Sequence, residues 1–243
     1  MMGEDVAGNY VMDLDRTRQQ LLVFAREVGE AYRRERQQKA LIEEMTQERR
    51  SVDYSMVQTL AFMVDAKDAY TGSHLERCRT YGLALAEAVD SDMVNPELEY
   101  GFLLHDVGKV VVPEAILDKP GPLTRSEQDI MRSHVEVGLR IVSPLKFLDS
   151  DALDVIRCHH EWFNGSGYPG GLVRGAIPLC ARVFSVVDAF DAMTTDRPYR
   201  NAIPADEALD RLSAGAGKQF DPDIVDIFTS LAPLLPVPEP QIA

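Results

Sequence analysis

The sequence predicts an all-α fold, a helical bundle preceded by one long amino-terminal helix, and three observations carry that prediction. No stretch alternates apolar and polar residues with the period of two that marks a half-buried strand. Helix-start chemistry recurs instead. Ser73 with Glu76, and Thr124 with Glu127, have capping-box spacing, and Asn95-Pro96-Glu97 sets a cap before a first-turn proline. From Ala31 to Thr71 there is neither Gly nor Pro, so nothing in that segment interrupts a helix.

Along this first helix a 3-4 spacing runs through Leu21, Phe24, Val28, Ala31, Ile42, Met45, Val52, Met56 and Met63. Glu35, Gln38, Arg49 and Thr59 occupy the equivalent positions in the gaps. The expectation is a coiled-coil helix that joins two chains in parallel through a weak seam with no firmly fixed register. The runs RRERQQK and QERR read as its solvated flanks. The chain therefore divides into a helical segment over 1–53, a globular unit over 54–232 and a flexible, proline-rich tail over 233–243.

The globular elements follow in order. Ser73 to Glu76 places His74 in the first turn of a helix with Leu75, Cys78, Gly82 and Leu85 inward. The helix opened by Asn95 ends in LLHDVG, with Gly108 its stop. The helix opened by Thr124 carries His134 one turn beyond Ile130 on its buried stripe, and one beginning near Ser150 carries Leu153, Ile156 and His160 on one face. After Pro178 comes ARVFSVVDAFDAM, with Asp188 and Asp191 on one side of an otherwise apolar helix. Two such carboxylates are costly to bury unless a cation meets them.

Composition narrows the function. The 243 residues suffice for one good core and an appendage. A net charge of −14 argues against nucleic acid and anionic membrane as partners. No run of 18 apolar residues occurs and the start, MMGEDVAGNYVMD, lacks a signal peptide's basic and apolar regions; the chain is expected to be soluble and cytoplasmic. Cys78, Cys158 and Cys180 have no Cys-x-x-Cys spacing and read as reduced thiols without chemistry. An anionic substrate would need local cations, which metals with Lys109, Arg182, Arg197 and Arg200 can supply.

All five histidines fall in one series: His74, His105 beside Asp106, His134, and the pair His159 and His160. Taken singly, His74 or His134 is more often a core or surface residue than a ligand. Jointly, at intervals of roughly one helical hairpin and closing on Asp188, they read as imidazole and carboxylate ligands converging in a bundle core, a set that suits Fe, Mn, Zn, Co or Ni. Asp106 can bridge two ions through its two oxygens.

In order, the motifs DAYTGSH (68–74), HDVGK (105–109), PEAILDKPGPLT (113–124), MRSH (131–134), HHEWFNGSGYPGGL (159–172) and VVDAFDAMTTDRPYR (186–200) resemble an HD-GYP domain. This is the branch of the HD-superfamily phosphohydrolases whose members degrade cyclic di-GMP, and the match covers about three quarters of the chain. The resemblance implies a helical HD bundle in which His74, His105, Asp106 and Asp188 hold one divalent ion and Asp106, His134, His159 and His160 the second, iron with manganese as the alternative. It implies substrate contacts from Lys109, Tyr168, Asp191, Arg197 and Arg200, with Asp106 and Lys109 as the catalytic pair. Some members carry a Glu four residues before the first His and use it for a third ion. Here that position is Tyr70, so two ions, no third, and the linear dinucleotide pGpG as main product are expected, although Asp191 offers a further carboxylate.

Residue by residue, alternatives stand beside these roles. Lys109 reads otherwise as a solvated lysine, Tyr168 as a residue that fixes its loop, and Arg197 as a cap on the carbonyls of the Asp188 helix. Gly165, Gly167, Gly170 and Gly171 suit a tight loop stiffened by Pro169, and Glu161 suits a partner that orients an imidazole. Three functions compete: a cyclic di-GMP phosphodiesterase tuned by its amino-terminal helix from an upstream sensor or receiver domain; a catalytically weak module that binds partners such as diguanylate cyclases; and a phosphohydrolase of another nucleotide or cyclic dinucleotide. The complete ligand set weighs against the second and the GYP segment against the third.

Overall fold

The structure, a computed structural model, describes residues 4–67, 74–196 and 201–235. Among these residues it is all-α, with no strand and only two isolated β-bridges, Asn164 to Val173 and Ala216 to Phe220. The chain falls into two compact units, Met1–Asp53 and Tyr54–Ala243. Helix α1 (Glu4–Asp65) supplies all that is described of the first unit and enters the second with its last turns. In the first unit Leu21, Phe24, Val28, Ile42, Met45 and Val52 are exposed. No described helix is long and apolar enough to cross a membrane.

The second unit contains α2 (His74–Val89), α3 (Pro96–Leu104), the short α4 (Glu114–Leu117), α5 (Arg125–Val142), α6 (Ser150–Cys158), α7 (Leu179–Thr194), α8 (Ala205–Gly215) and α9 (Pro222–Leu231). Side-chain caps fix several starts: Asn95 accepts from Leu98 N at 2.6 Å, Asp149 from Ala152 N at 2.9 Å, and Thr124 and Glu127 form a complete capping box. Each cap is worth about 1 kcal/mol. Ser73, the other expected capping-box residue, lies outside the described residues.

Two apolar cores meet at α3. One gathers Leu85, Phe102, Phe184, Leu212 and Phe228 from α2, α3, α7, α8 and α9; the other packs Val57, Ala61 and Val64 of α1 against Tyr100, Leu103 and Leu104 of α3 and Ile156 of α6. Buried on both sides, α3 delivers the His105-Asp106 pair that follows it into the seam between the cores.

Three sequence expectations need correction. Gly108 is not the stop of α3, which ends at Leu104; it sits in a 3-10 segment (Val107–Val111) pressed so closely on α5 that a Cβ there would lie 1.8 Å from the His134 carbonyl oxygen. Its need is for proximity, not for a helix end. Ile130 is 41% exposed rather than on the buried stripe of α5. His160 is not on a helical face: α6 stops at Cys158, His159 caps it, and His160 lies in the turn beyond.

Candidate metal centre

Three helix segments present imidazoles in the same way. His105 and His159 stand just past the ends of α3 and α6, and His134 lies within α5; each turns Nδ1 back to a carbonyl of its own helix, at 2.8 Å to Phe102, 3.2 Å to Ile156 and 2.7 Å to Met131. A carbonyl only accepts, so Nδ1 carries the proton and Nε2 is the coordinating face. Those faces converge on Asp106. Its Oδ1 lies 3.4 Å from His134 Nε2 and 3.9 Å from His159 Nε2, and its Oδ2 lies 3.1 Å from His105 Nε2. His134 Nε2 and His159 Nε2 are 3.4 Å apart.

Without a cation this arrangement is costly. Asp106 Oδ1 and His105 Nε2 are buried and make no hydrogen bond, and nitrogen lone pairs face a carboxylate and one another. An unsatisfied buried polar group costs about 1–3 kcal/mol, more when charged. Burial, then the neighbouring His105, pushes the His159 pKa down to about 3; burial likewise lowers His134 and drives His160 well below the ordinary range. These imidazoles are neutral at neutral pH, the form that binds metal. Burial also works against an ionised Asp106, yet Lys109, 2.7 Å away, and His105 hold its pKa well below the carboxylate range.

Asp106, His134, His159 and His160 offer one set of ligand atoms within 4.8 Å of one another, and His74, His105 and Asp188 offer a second. Both sets, imidazole nitrogens with a carboxylate, fit divalent metal ions. A third group, His74, Cys78 and Asp191, is equally close but is spoken for: burial keeps Cys78 a neutral thiol, and Asp191 is taken. Asp191 is fully buried and accepts from His74 Nδ1 at 2.6 Å and from the Arg77 guanidinium, which places it to orient the His74 imidazole. Phe184 floors the centre, its ring 4.8 Å from that of His105.

The GYP loop is tied down around this centre. Glu161, buried, accepts from Gly170 N at 2.6 Å and Leu172 N at 3.0 Å, so its carboxylate holds the loop rather than an imidazole. A Cβ on Gly167 would fall 2.2 Å from Trp162 N, so only glycine fits that approach. Tyr168, followed by a cis peptide to Pro169, stacks on His160 with centroids 4.7 Å apart. Beside the ligands opens a cleft of about 220 Å³ lined by His74, His105, Asp106, Lys109, His160, Asp188 and Asp65.

Of the sequence-derived site residues, the structure thus gathers His74, His105, Asp106, Lys109, His134, His159, His160, Tyr168 and Asp188, with Asp191 behind His74. Arg197, Arg200 and Tyr70 lie outside the described residues. Arg182 pairs with Asp221 at 2.5 Å. The sequence reading assigned no role to Arg77 or Arg132, although Arg77 stands three residues after His74 and Arg132 lies inside the MRSH motif, two before His134.

Comparison with known proteins agrees with this geometry. A family model described as HD domain matches residues 58–224. A cyclic di-GMP phosphodiesterase of Thermotoga maritima is 35% identical over 73% of this chain and 49% of its own length. The cyclic di-GMP phosphodiesterase response regulator RpfG of Xanthomonas campestris is 41% identical over 69% and 45%, and a 3'3'-cGAMP-specific phosphodiesterase of Vibrio cholerae is 36% identical over 73% and 34%. The chain thus spans about half or less of the length of these relatives. Among solved structures, a cyclic GMP-AMP specific phosphodiesterase of V. cholerae superposes with a TM-score of 0.56 at 20% identity, covering 73% of this chain and 48% of that one, a likeness of fold. On the family match and on the ordered run of ligand motifs, the chain belongs to the HD domain family.

Proposed function

We propose that this chain is a metal-dependent phosphodiesterase that opens cyclic di-GMP to linear pGpG. One observation carries the reading: the neutral imidazoles of His134, His159 and His160 and an ionised Asp106 with one oxygen unsatisfied meet beside a cleft that also holds Lys109. His74, His105, Asp106 and Asp188 would hold one ion, and Asp106, His134, His159 and His160 the other. Two divalent ions, iron with manganese as the alternative, supply when bound the Lewis acidity that activates water and draws charge from phosphoryl oxygens. The chain's own residues do the rest. Carbonyl-anchored Nδ1 atoms keep the imidazoles in one tautomer, Phe184 keeps the floor dry, and Lys109 brings a point charge to the phosphate as negative charge develops.

The relatives named as 3'3'-cGAMP phosphodiesterases favour a second reading, in which the same centre prefers a mixed cyclic dinucleotide. A third, partner binding with little catalysis, would engage diguanylate cyclases. Regulation in this proposal runs through α1 as a parallel homodimer under an upstream sensor or receiver domain, supported by the exposed seam residues. Anaerobic purification, metal analysis and chromatography of products from cyclic di-GMP and 3'3'-cGAMP test these readings together. Two ions per chain and pGpG as main product are expected, and Tyr70→Glu should raise metal content and shift product toward GMP. Three ions with rapid conversion to GMP by the unmodified chain would overturn the two-ion reading; full metal with no turnover of either dinucleotide would favour partner binding.

A further inference from the structure

We propose that Arg132 binds the non-reacting phosphate of the cyclic dinucleotide, an inference that rests on the substrate reading above. α5 carries Arg132 two residues before the ligand His134. Its guanidinium carbon lies 4.9 Å from the centroid of the Tyr168 ring, and Tyr168 stacks in turn on His160 at 4.7 Å. Two contacts therefore join an exposed guanidinium to a metal-ligand imidazole, and the ring holds the cation at the rim of the centre.

Among the described residues, two other cations nearby already have roles. Arg77 is bound to Asp191, and Lys109 lies 2.7 Å from Asp106. Among the described residues Arg132 has no carboxylate partner and no hydrogen bond, so its donors remain available. A cation–π contact at an exposed site is worth only about 0.5–1 kcal/mol, enough to bias the side chain's position without consuming its N–H groups. A planar guanidinium recognises phosphate bidentately. A cyclic dinucleotide has two phosphodiesters, and when one sits at the reacting centre the other carries a full negative charge elsewhere. In a chain of net charge −14 that charge needs a local counterion. Arg132 supplies it.

The test uses the full metal-loaded chain and two substrates: cyclic di-GMP, and bis(p-nitrophenyl) phosphate, which has a single phosphate. Arg132→Ala should raise KM for cyclic di-GMP by about 10-fold or more, leave kcat within about two-fold and leave metal content and bis(p-nitrophenyl) phosphate turnover unchanged, the pattern of lost uniform binding. Arg132→Lys should recover part of the affinity, because charge returns without the bidentate fork. Unchanged KM would overturn the inference. Equal losses on both substrates would overturn it too, assigning Arg132 to support of Tyr168. A parent chain that cleaves bis(p-nitrophenyl) phosphate but neither binds nor cleaves cyclic di-GMP would instead fail the substrate reading itself, and the inference with it.

Discussion

Two halves of one centre are held in place by different means. His134 and His159 are aimed by hydrogen bonds to carbonyls of their own helices, so their orientation follows from helix geometry and persists while the helix does. His74 is aimed from another element: its Nδ1 meets Asp191 of α7, which is itself held by Arg77 of α2. That anchor is made of side chains, fully buried at the carboxylate. Backbone anchoring gives a half that point mutations outside the ligands scarcely reach. The half with His74 and His105 keeps one carbonyl-anchored imidazole, His105, but its His74 hangs on side chains that one substitution can release, and it lies where α2 begins, nine residues after α1 ends.

The largest effect is expected where the halves share a group. Asp106→Ala removes the one carboxylate proposed for both ions, so both should be lost and turnover should fall by more than about 100-fold, the upper range for residues that merely support ligands. Metal analysis with the same turnover assay checks it. A variant that keeps full metal and appreciable activity would refute the shared carboxylate and make the halves independent.

A smaller and one-sided effect should follow from Asp191→Asn. The substitution keeps the shape but leaves Arg77 without its counter-charge and His74 with a weaker acceptor; breaking a buried ion pair from one side costs about 3–5 kcal/mol. Metal titration should show one ion weakened by about 10–100-fold while the other is nearly unaffected, and thermal unfolding should shift downward. Equal weakening of both ions would erase the distinction between the anchors.

What was legible in the sequence follows the same division. Ligand types are scarce and chemically distinctive, so His74, His105, Asp106, His134, the His159-His160 pair and Asp188 could be picked out of the chain directly. Caps at Asn95 and Thr124 announced α3 and α5 because capping depends on residues only three apart. Partnerships across long separations left no local mark. Asp191 stands one turn from Asp188 and has the same chemistry, yet it faces His74 and Arg77, more than a hundred residues earlier in the chain. Glu161 gave no hint that its partners are amides of its own loop, and nothing in the sequence around Arg132 announced its contact with Tyr168. α3, buried against both cores through Leu98 and Tyr100 to Leu104, has no amphipathic period from which the two cores could be told apart.

The smallest effect, and the one that decides whether α1 acts on the side-chain-anchored half, concerns its last turns. Val57, Ala61 and Val64 pack in the core with Leu103, Leu104 and Val107, and Lys67, just beyond the helix, donates to the carbonyls of Val110 at 2.6 Å and Val112 at 2.7 Å. The end of α1 is thereby fastened to the segment that follows Asp106 and Lys109, while Met56 and Met63 of its seam stay exposed. Removing residues 1–50 leaves these attachments in place and deletes most of the seam. The truncated chain should therefore bind both ions with unchanged affinity, sediment largely as a monomer, and turn over cyclic di-GMP at a rate altered by a few-fold, because only the influence of a second chain on the register of α1 has been removed. Sedimentation, metal titration and steady-state kinetics on one preparation read all three. A truncated chain that stays dimeric with unchanged kinetics would reduce α1 to a tether and leave the His74 half controlled by Asp191 and Arg77 alone.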